Sequence, residues 1–173
     1  MTEDLRETRF FEFLSEDERR EFVEISEPVS FVPTEHIIEE GSRPKSMYVL
    51  LTGKVEIRKR LSDDRNRVLA EIRADEHQTV VGERGLLGRT KASATVRAKG
   101  RVEALKIPRE AFHAMISEGR PAAFKLAYRI SRLLALRLTR LDDEVVAAVR
   151  EMDRKGDTDL DVFRDNLITE WTV

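Results

Sequence analysis

Cysteine is absent from the 173 residues, which excludes disulfide cross-links, thiolate nucleophiles and cysteine-ligated zinc. Histidine is scarce: His36, His77 and His113 are scattered, none with a second histidine within two positions, so no metal-ligating cluster forms from them. No Ser-His-Asp spacing and no P-loop occurs, and an enzyme is not expected. Neither sign of charge dominates. With 31 Lys+Arg against 33 Asp+Glu the net charge is -2, which supplies no global field to gather a polyanion such as DNA. Long apolar runs are missing too. The acidic start M-T-E-D-L-R-E-T-R lacks the apolar core of a signal peptide, and no uncharged stretch approaches membrane-spanning length. The expectation is a cytoplasmic protein with no metal or cofactor, no membrane and no nucleic-acid partner.

What is present suits one domain with appendages. Residues 1–28 read as an N-terminal helical segment: Ser15 followed by Glu18 fits a capping box, and Phe10, Phe11, Phe13 and Leu14 stand ready to pack the helix down. Residues 29–107 change to short strands broken by turn residues, as in an all-β sandwich or barrel. V-S-F-V, H-I-I, M-Y-V-L-L, K-V-E-I-R-K-R, R-V-L-A-E-I, A-T-V-R-A and R-V-E-A-L-K-I are the strands, with Gly41, Gly53 and Gly100 in turns where positive φ is useful. Alternation is clearest in Lys54-Val55-Glu56-Ile57-Arg58, which predicts a strand with one wet face.

Residues 108–153 turn helical, opened by Pro108 and interrupted around Gly119 to Pro121. Phe124, Ala127, Ser131, Leu134, Leu138, Leu141, Val145, Ala148 and Met152 recur at steps of three and four, a heptad seam. Leu126, Ile130 and Leu133 form a second stripe beside it. Two stripes need two covering surfaces, so the second is assigned to the β segment and the seam to the same helix of a second subunit. Leu134, Leu138, Leu141 and Val145 are the expected homodimer interface. Gly156 is a plausible stop, and residues 154–173 hold a short terminal helix with Leu160, Phe163, Leu167 and Trp171 on one face and cap candidates at Asp157 to Asp159. That helix covers apolar surface or meets a protein partner.

The stretch Gly82 to Val96, G-E-R-G-L-L-G-R-T-K-A-S-A-T-V, reads either as a turn within the barrel or as a loop shaped to hold an anion. Gly82 to Gly88 reads as a tight turn and one helical turn, where backbone amides converge and glycine lets an anion come close. Glu83 can accept hydrogen bonds from a sugar hydroxyl, and Ser93 can donate to a phosphate oxygen.

This pattern resembles the cyclic nucleotide-binding domain family. E-E-G-S before M-Y-V-L-L-T-G-K-V-E-I is one hallmark; V-G-E-R-G-L-L matches the start of a phosphate-binding cassette, residues 82–96, and A-S-A-T-V-R-A its end. The resemblance implies an α+β, mainly β fold: a jelly-roll-like β-roll flanked by an N-terminal helix and a long C-terminal helix. It implies that Glu83 binds the ribose 2'-hydroxyl, that Gly82 and the short helix of Gly85, Leu86 and Leu87 shape the cassette, and that Ser93, with Ala94 beside it, meets the cyclic phosphate. The family's phosphate-pairing arginine falls on Ala92. Arg84, Arg89 and Lys91 are nearby cations, and Arg89 is better placed than Lys91, which points away from Ala92 in an extended chain. The base would meet the long helix at Leu134, Arg137 or Leu138. Only residues 153–173 follow Met152, and they begin acidic, so a helix-turn-helix is not expected. Two functions remain open: a sensor or regulatory subunit holding cAMP or cGMP, and an adaptor whose pocket no longer binds a nucleotide.

Overall fold

A computed structural model describes residues 9–60, 66–74, 79–88 and 90–155. The chain divides into two units, Met1–Tyr128 and Arg129–Val173. The first opens with a 3-10 turn at Arg9–Phe11 and helix α1 at Glu16–Ile25. The capping box is present as expected. Ser15 Oγ accepts from the Glu18 amide at 3.3 Å, and Glu18 Oε2 accepts from the Ser15 amide at 2.8 Å. Lys125 donates to the other oxygen of Glu18 at 2.6 Å, which ties α1 to a later helix. Phe10, Phe11 and Leu14 are buried, and Phe11 stacks on Phe22 with ring centroids 5.7 Å apart.

Eight strands follow: β1 (Glu27–Phe31), β2 (His36–Ile38), β3 (Ser46–Thr52), β4 (Lys54–Arg60), β5 (Asn66–Arg73), β6 (Val80–Val81), β7 (Thr95–Ala98) and β8 (Val102–Pro108). They form two four-stranded antiparallel sheets, ordered β1-β8-β3-β6 and β2-β7-β4-β5. β6 escapes the sequence pattern because two valines are too few to show a period. Ile37, Ile38, Leu50, Val55, Val81, Val96, Ala98, Val102 and Ala104 make one buried cluster with residues from both sheets.

Successive strand residues face opposite ways, so the first sheet is covered twice. Leu50 and Ala104 join the inner cluster, while their neighbours Val49 and Leu105, also buried, point to the other face. Helix α1 and helix α3 (Arg109–Ser117) touch that sheet through β8, and the short helix α2 (Glu83–Leu87) touches it through β3. The outer face of β4 is drier than its charge suggests. Glu56 is only 8% exposed, flanked across the strand pair by Arg97 at 2.9 Å and Lys99 at 3.6 Å, so cations rather than water meet its charge.

Pro108 is the last residue of β8 and the N-cap of α3, extended at ψ 137°, rather than a member of the first turn. Helix α4 runs Pro121–Lys155, after the expected break at Gly119, whose φ is +71°. In the first unit its residues Ala122, Ala123 and Leu126 are buried, and in the second Ile130 is buried. Leu138 and Leu141 are more than half exposed, and Leu134 and Val145 partly so. Gly156 and the terminal helix expected over 154–173 lie outside the described residues, apart from the end of α4.

Two outcomes are expected in urea denaturation. The Glu18 carboxyl is held below its ordinary range, chiefly by the Lys125 hydrogen bond and then by the Ser15 amide. A carboxyl more acidic when folded adds stability above its unfolded pKa and loses it as pH falls through its folded one. Glu18→Gln keeps an acceptor for the Ser15 amide but loses the ion pair, so it costs about 0.5 kcal/mol at neutral pH, and the gap to wild type closes below the ordinary carboxylate range. Gly41 and Gly82 share φ near +80°, but a Cβ at Gly41 meets open space whereas one at Gly82 comes 2.9 Å from Ile38 Cδ1 and from the Ser46 carbonyl. Gly41→Ala costs about 1 kcal/mol, and Gly82→Ala a further 1–3, roughly; equal losses would show that α2 yields freely.

Candidate functional site

The helix α2 sits where the chain turns out of β6, and two glycines bring it close to its support. Gly82 caps it in the left-handed region at φ 80°, and its missing side chain admits Ile38 and the Ser46 carbonyl. At Gly85 a Cβ would stand 2.9 Å from both Pro44 Cγ and the Pro44 carbonyl, so the helix lies against the approach to β3. From the other side α3 holds the helix carbonyls. Arg109 Nε donates to the Gly85 carbonyl, its Nη2 donates to the Pro44 carbonyl at 2.5 Å, and His113 Nε2 lies 3.1 Å from the Leu86 carbonyl. A carbonyl can only accept, so that histidine nitrogen carries its proton. One arginine thus joins α2 to the turn beneath it.

Glu83 opens the helix and is 5% exposed, with Gly85 and Leu86 also buried, while Arg84 points to solvent. A buried carboxylate is costly unless donors meet it, which marks Glu83 as a polar position set into the fold rather than a surface charge.

The far end of the cassette is pinned by the turn after β2. The Ala92 amide donates to the Ser42 carbonyl at 2.8 Å and its carbonyl accepts from the Gly41 amide at 2.9 Å. The Ala92 methyl is partly buried against the inner apolar cluster, and Ala94 is partly buried. Ser93 and Lys91 are exposed, so Lys91 and Ala92 do differ in exposure as an extended chain requires. Glu40 donates its amide to Thr95 Oγ1 at 3.0 Å.

A lysine not anticipated from the sequence stands at this end. Lys59, near the end of β4, donates from Nζ to the Ser93 carbonyl at 2.6 Å and lies 3.1 Å from Glu40 Oε1. The Arg60 amide donates to Glu40 Oε2 at 2.9 Å. That amide, and then Lys59, hold the Glu40 carboxyl below its ordinary range. The signal was in the strand pattern. Continuing the alternation of Val55 and Ile57 by one step puts Lys59 on the apolar face, an unusual place for a lysine.

Of the expected site residues, the structure gathers Gly82, Glu83, Arg84, Gly85 and Leu86 in α2 and its cap, and Ala92, Ser93 and Ala94 in the strap before β7. Arg89 lies outside the described residues. Arg137 belongs to α4 in the second unit and is partly buried. His77 lies outside the described residues, His36 faces Glu39 at 3.5 Å, and no metal-holding group of His, Asp or Glu occurs among the described residues. No described helix is long and apolar enough to cross a membrane.

Comparison with known proteins agrees on the fold. A cyclic nucleotide-binding domain from Methylobacillus flagellatus KT is 19% identical with a TM-score of 0.73, over 84% of this chain and 83% of that one. The catabolite activator protein of Thermus thermophilus is 24% identical with a TM-score of 0.70, over 86% and 72%. A triple mutant of the regulatory subunit of a cAMP-independent protein kinase A from Trypanosoma brucei, bound to cAMP, is 23% identical with a TM-score of 0.61, over 75% and 45%. A sequence search of curated proteins finds no match. The cyclic nucleotide-binding domain family matches residues 28–118, over half the sequence, with the cassette inside that span. The chain belongs to the cyclic nucleotide-binding domain family.

Proposed function

We propose that this protein is a non-enzymatic sensor or regulatory subunit that holds a cyclic nucleotide, cAMP or cGMP, in the cassette 82–96. The observation that carries the reading is Glu83: a carboxylate 5% exposed, at the head of a helix fixed from both sides, within the family's span. Ribose hydroxyls are neutral donors suited to such an acceptor. Ser93 and the amides of the strap meet the phosphate.

The output passes through helices. Arg109 and His113 bind α3 to the carbonyls of α2, so a displacement of α2 on capture is handed to α3 and through the turn at Gly119 to α4. Ligand and free states then differ in population according to the ligand's preference for one of them. The exposed leucines of α4 give that shift a recipient. Leu138 at 56% and Leu141 at 54% continue a seam with Leu134 and Val145, and a second copy of the helix covers it in a homodimer. A protein partner downstream and a cytoplasmic setting complete the reading.

A second reading rests on Ala92. Its methyl packs on the apolar cluster and offers no charge to a phosphate, and one of the three substitutions in the cAMP-bound Trypanosoma mutant introduces arginine. On that reading the pocket is degenerate and the domain serves as a dimeric adaptor.

Calorimetric titration with cAMP, cGMP and cyclic dinucleotides separates the two. Saturable binding that Glu83→Ala weakens by roughly tenfold or more supports the sensor. Silence at millimolar ligand, with binding installed by Ala92→Arg, establishes the adaptor instead. For the dimer, Leu138→Gln and Leu141→Gln together shift the sedimentation equilibrium to monomer, since each buried leucine contributes roughly 1.5–3 kcal/mol; an unchanged mass assigns the interface elsewhere.

A further inference from the structure

We propose that Lys59 is the cation that pairs with the ligand's cyclic phosphate, supplying from β4 the positive charge that Ala92 lacks. The inference rests on the sensor reading and deepens it. Lys59 Nζ already bonds the carbonyl of Ser93, the residue next to Ala92, at 2.6 Å. The pairing of β4 with β5 shifts at Ile57/Arg58, but its pairing with β7 is unbroken from Val55 to Arg58, and continuing that alternation by one residue puts the Lys59 side chain on the face of Val55 and Ile57, which belong to or pack on the same apolar cluster as the Ala92 methyl. The ammonium and the vacant side-chain position of Ala92 therefore share one side of the strap.

The chemistry of the ammonium fits exchange. It has three N–H donors; among the described residues one serves the Ser93 carbonyl and another the Glu40 carboxylate at 3.1 Å. Glu40 thus supplies the anion at the place where a phosphate oxygen would sit. Lys59 is 40% exposed and Glu40 27%, so this pair sits in partial contact with water and is cheap to replace. Glu40 keeps a second partner in the Arg60 amide, which steadies it when the ammonium turns to the ligand. Arg58, opposite Thr95, leaves β4 on the other face from Lys59, and three further described cations are worse placed too. Arg84 and Lys91 are exposed, Lys91 on the opposite side from Ala92, and Arg109 is committed to the carbonyls of Gly85 and Pro44.

A structural ion pair and a competing one predict different signs. If Lys59 only braces the turn, removing either partner harms binding alike. If Glu40 competes with phosphate, the two variants move affinity in opposite directions. The experiment is calorimetric titration of cAMP into the full chain and its variants. Lys59→Met is expected to weaken binding by about tenfold to a hundredfold, Lys59→Arg to retain most of it, Glu40→Gln to tighten it by about threefold, and Lys59→Met with Ala92→Arg to restore it. Wild-type binding that Lys59→Met leaves unchanged, or that Glu40→Gln weakens as Lys59→Met does, overturns the role of Lys59 and leaves the sensor reading standing. No saturable binding by the wild type at millimolar cAMP or cGMP overturns both. Should Lys59→Met fail to fold, by its melting profile, the Glu40→Gln arm decides: affinity unchanged or lower refutes the proposal.

Discussion

The close approach of α2 to the segment Pro44–Ser46 is the constraint on which the site depends. It exists because Gly82 and Gly85 present no Cβ where Ile38, Pro44 and the Ser46 carbonyl already stand. With that contact made, Glu83 is carried under cover and the helix carbonyls come within reach of Arg109 and His113. A larger residue at Gly85 would meet backbone as well as side chain, and backbone cannot rotate away. The site is therefore assembled by packing first and by polar bonds second, and α3 reads the position of α2 through those bonds.

Much of this was legible because it is local. The capping box needs only Ser15 and Glu18 three residues apart, and the break before α4 needs only Gly119 and Pro121. The strands showed their period where one face was apolar, and the cassette was read from its resemblance to the family, since its glycines and Glu83 alone could mark no more than a turn. What stayed hidden depends on partners distant in sequence. Glu56 reads as a wet charge until Arg97, 41 residues on, is brought beside it. Lys59 stands out by its place in the alternation, but its partners do not show until Ser93, 34 residues on, and Glu40 close around it. No window of ten or fifteen residues contains these pairs. The seam of α4 lies between the two cases, since its heptads are visible in sequence while its exposure is not: Leu138 and Leu141 stand more than half exposed in the second unit, and Leu134 and Val145 less so.

Charge and shape are separable at this site. The backbone of Ala92 is fixed on both sides by Gly41 and Ser42, and those bonds are indifferent to the side chain at that position. A strap held in this way keeps its course whether the positive charge is carried by the strap itself or by a neighbouring strand. The consequence differs in coupling. A cation on the strap would report ligand to the cassette alone, whereas Lys59 belongs to β4, and its carboxylate partner Glu40 belongs to the turn that also donates to Thr95 of β7 and accepts from the Arg60 amide. An anion that draws the Lys59 ammonium from Glu40 therefore acts on the sheet β2-β7-β4-β5 as well as on α2. Capture would be felt at both ends of the cassette, through the glycine-fitted helix at one and through an exchanged ion pair at the other.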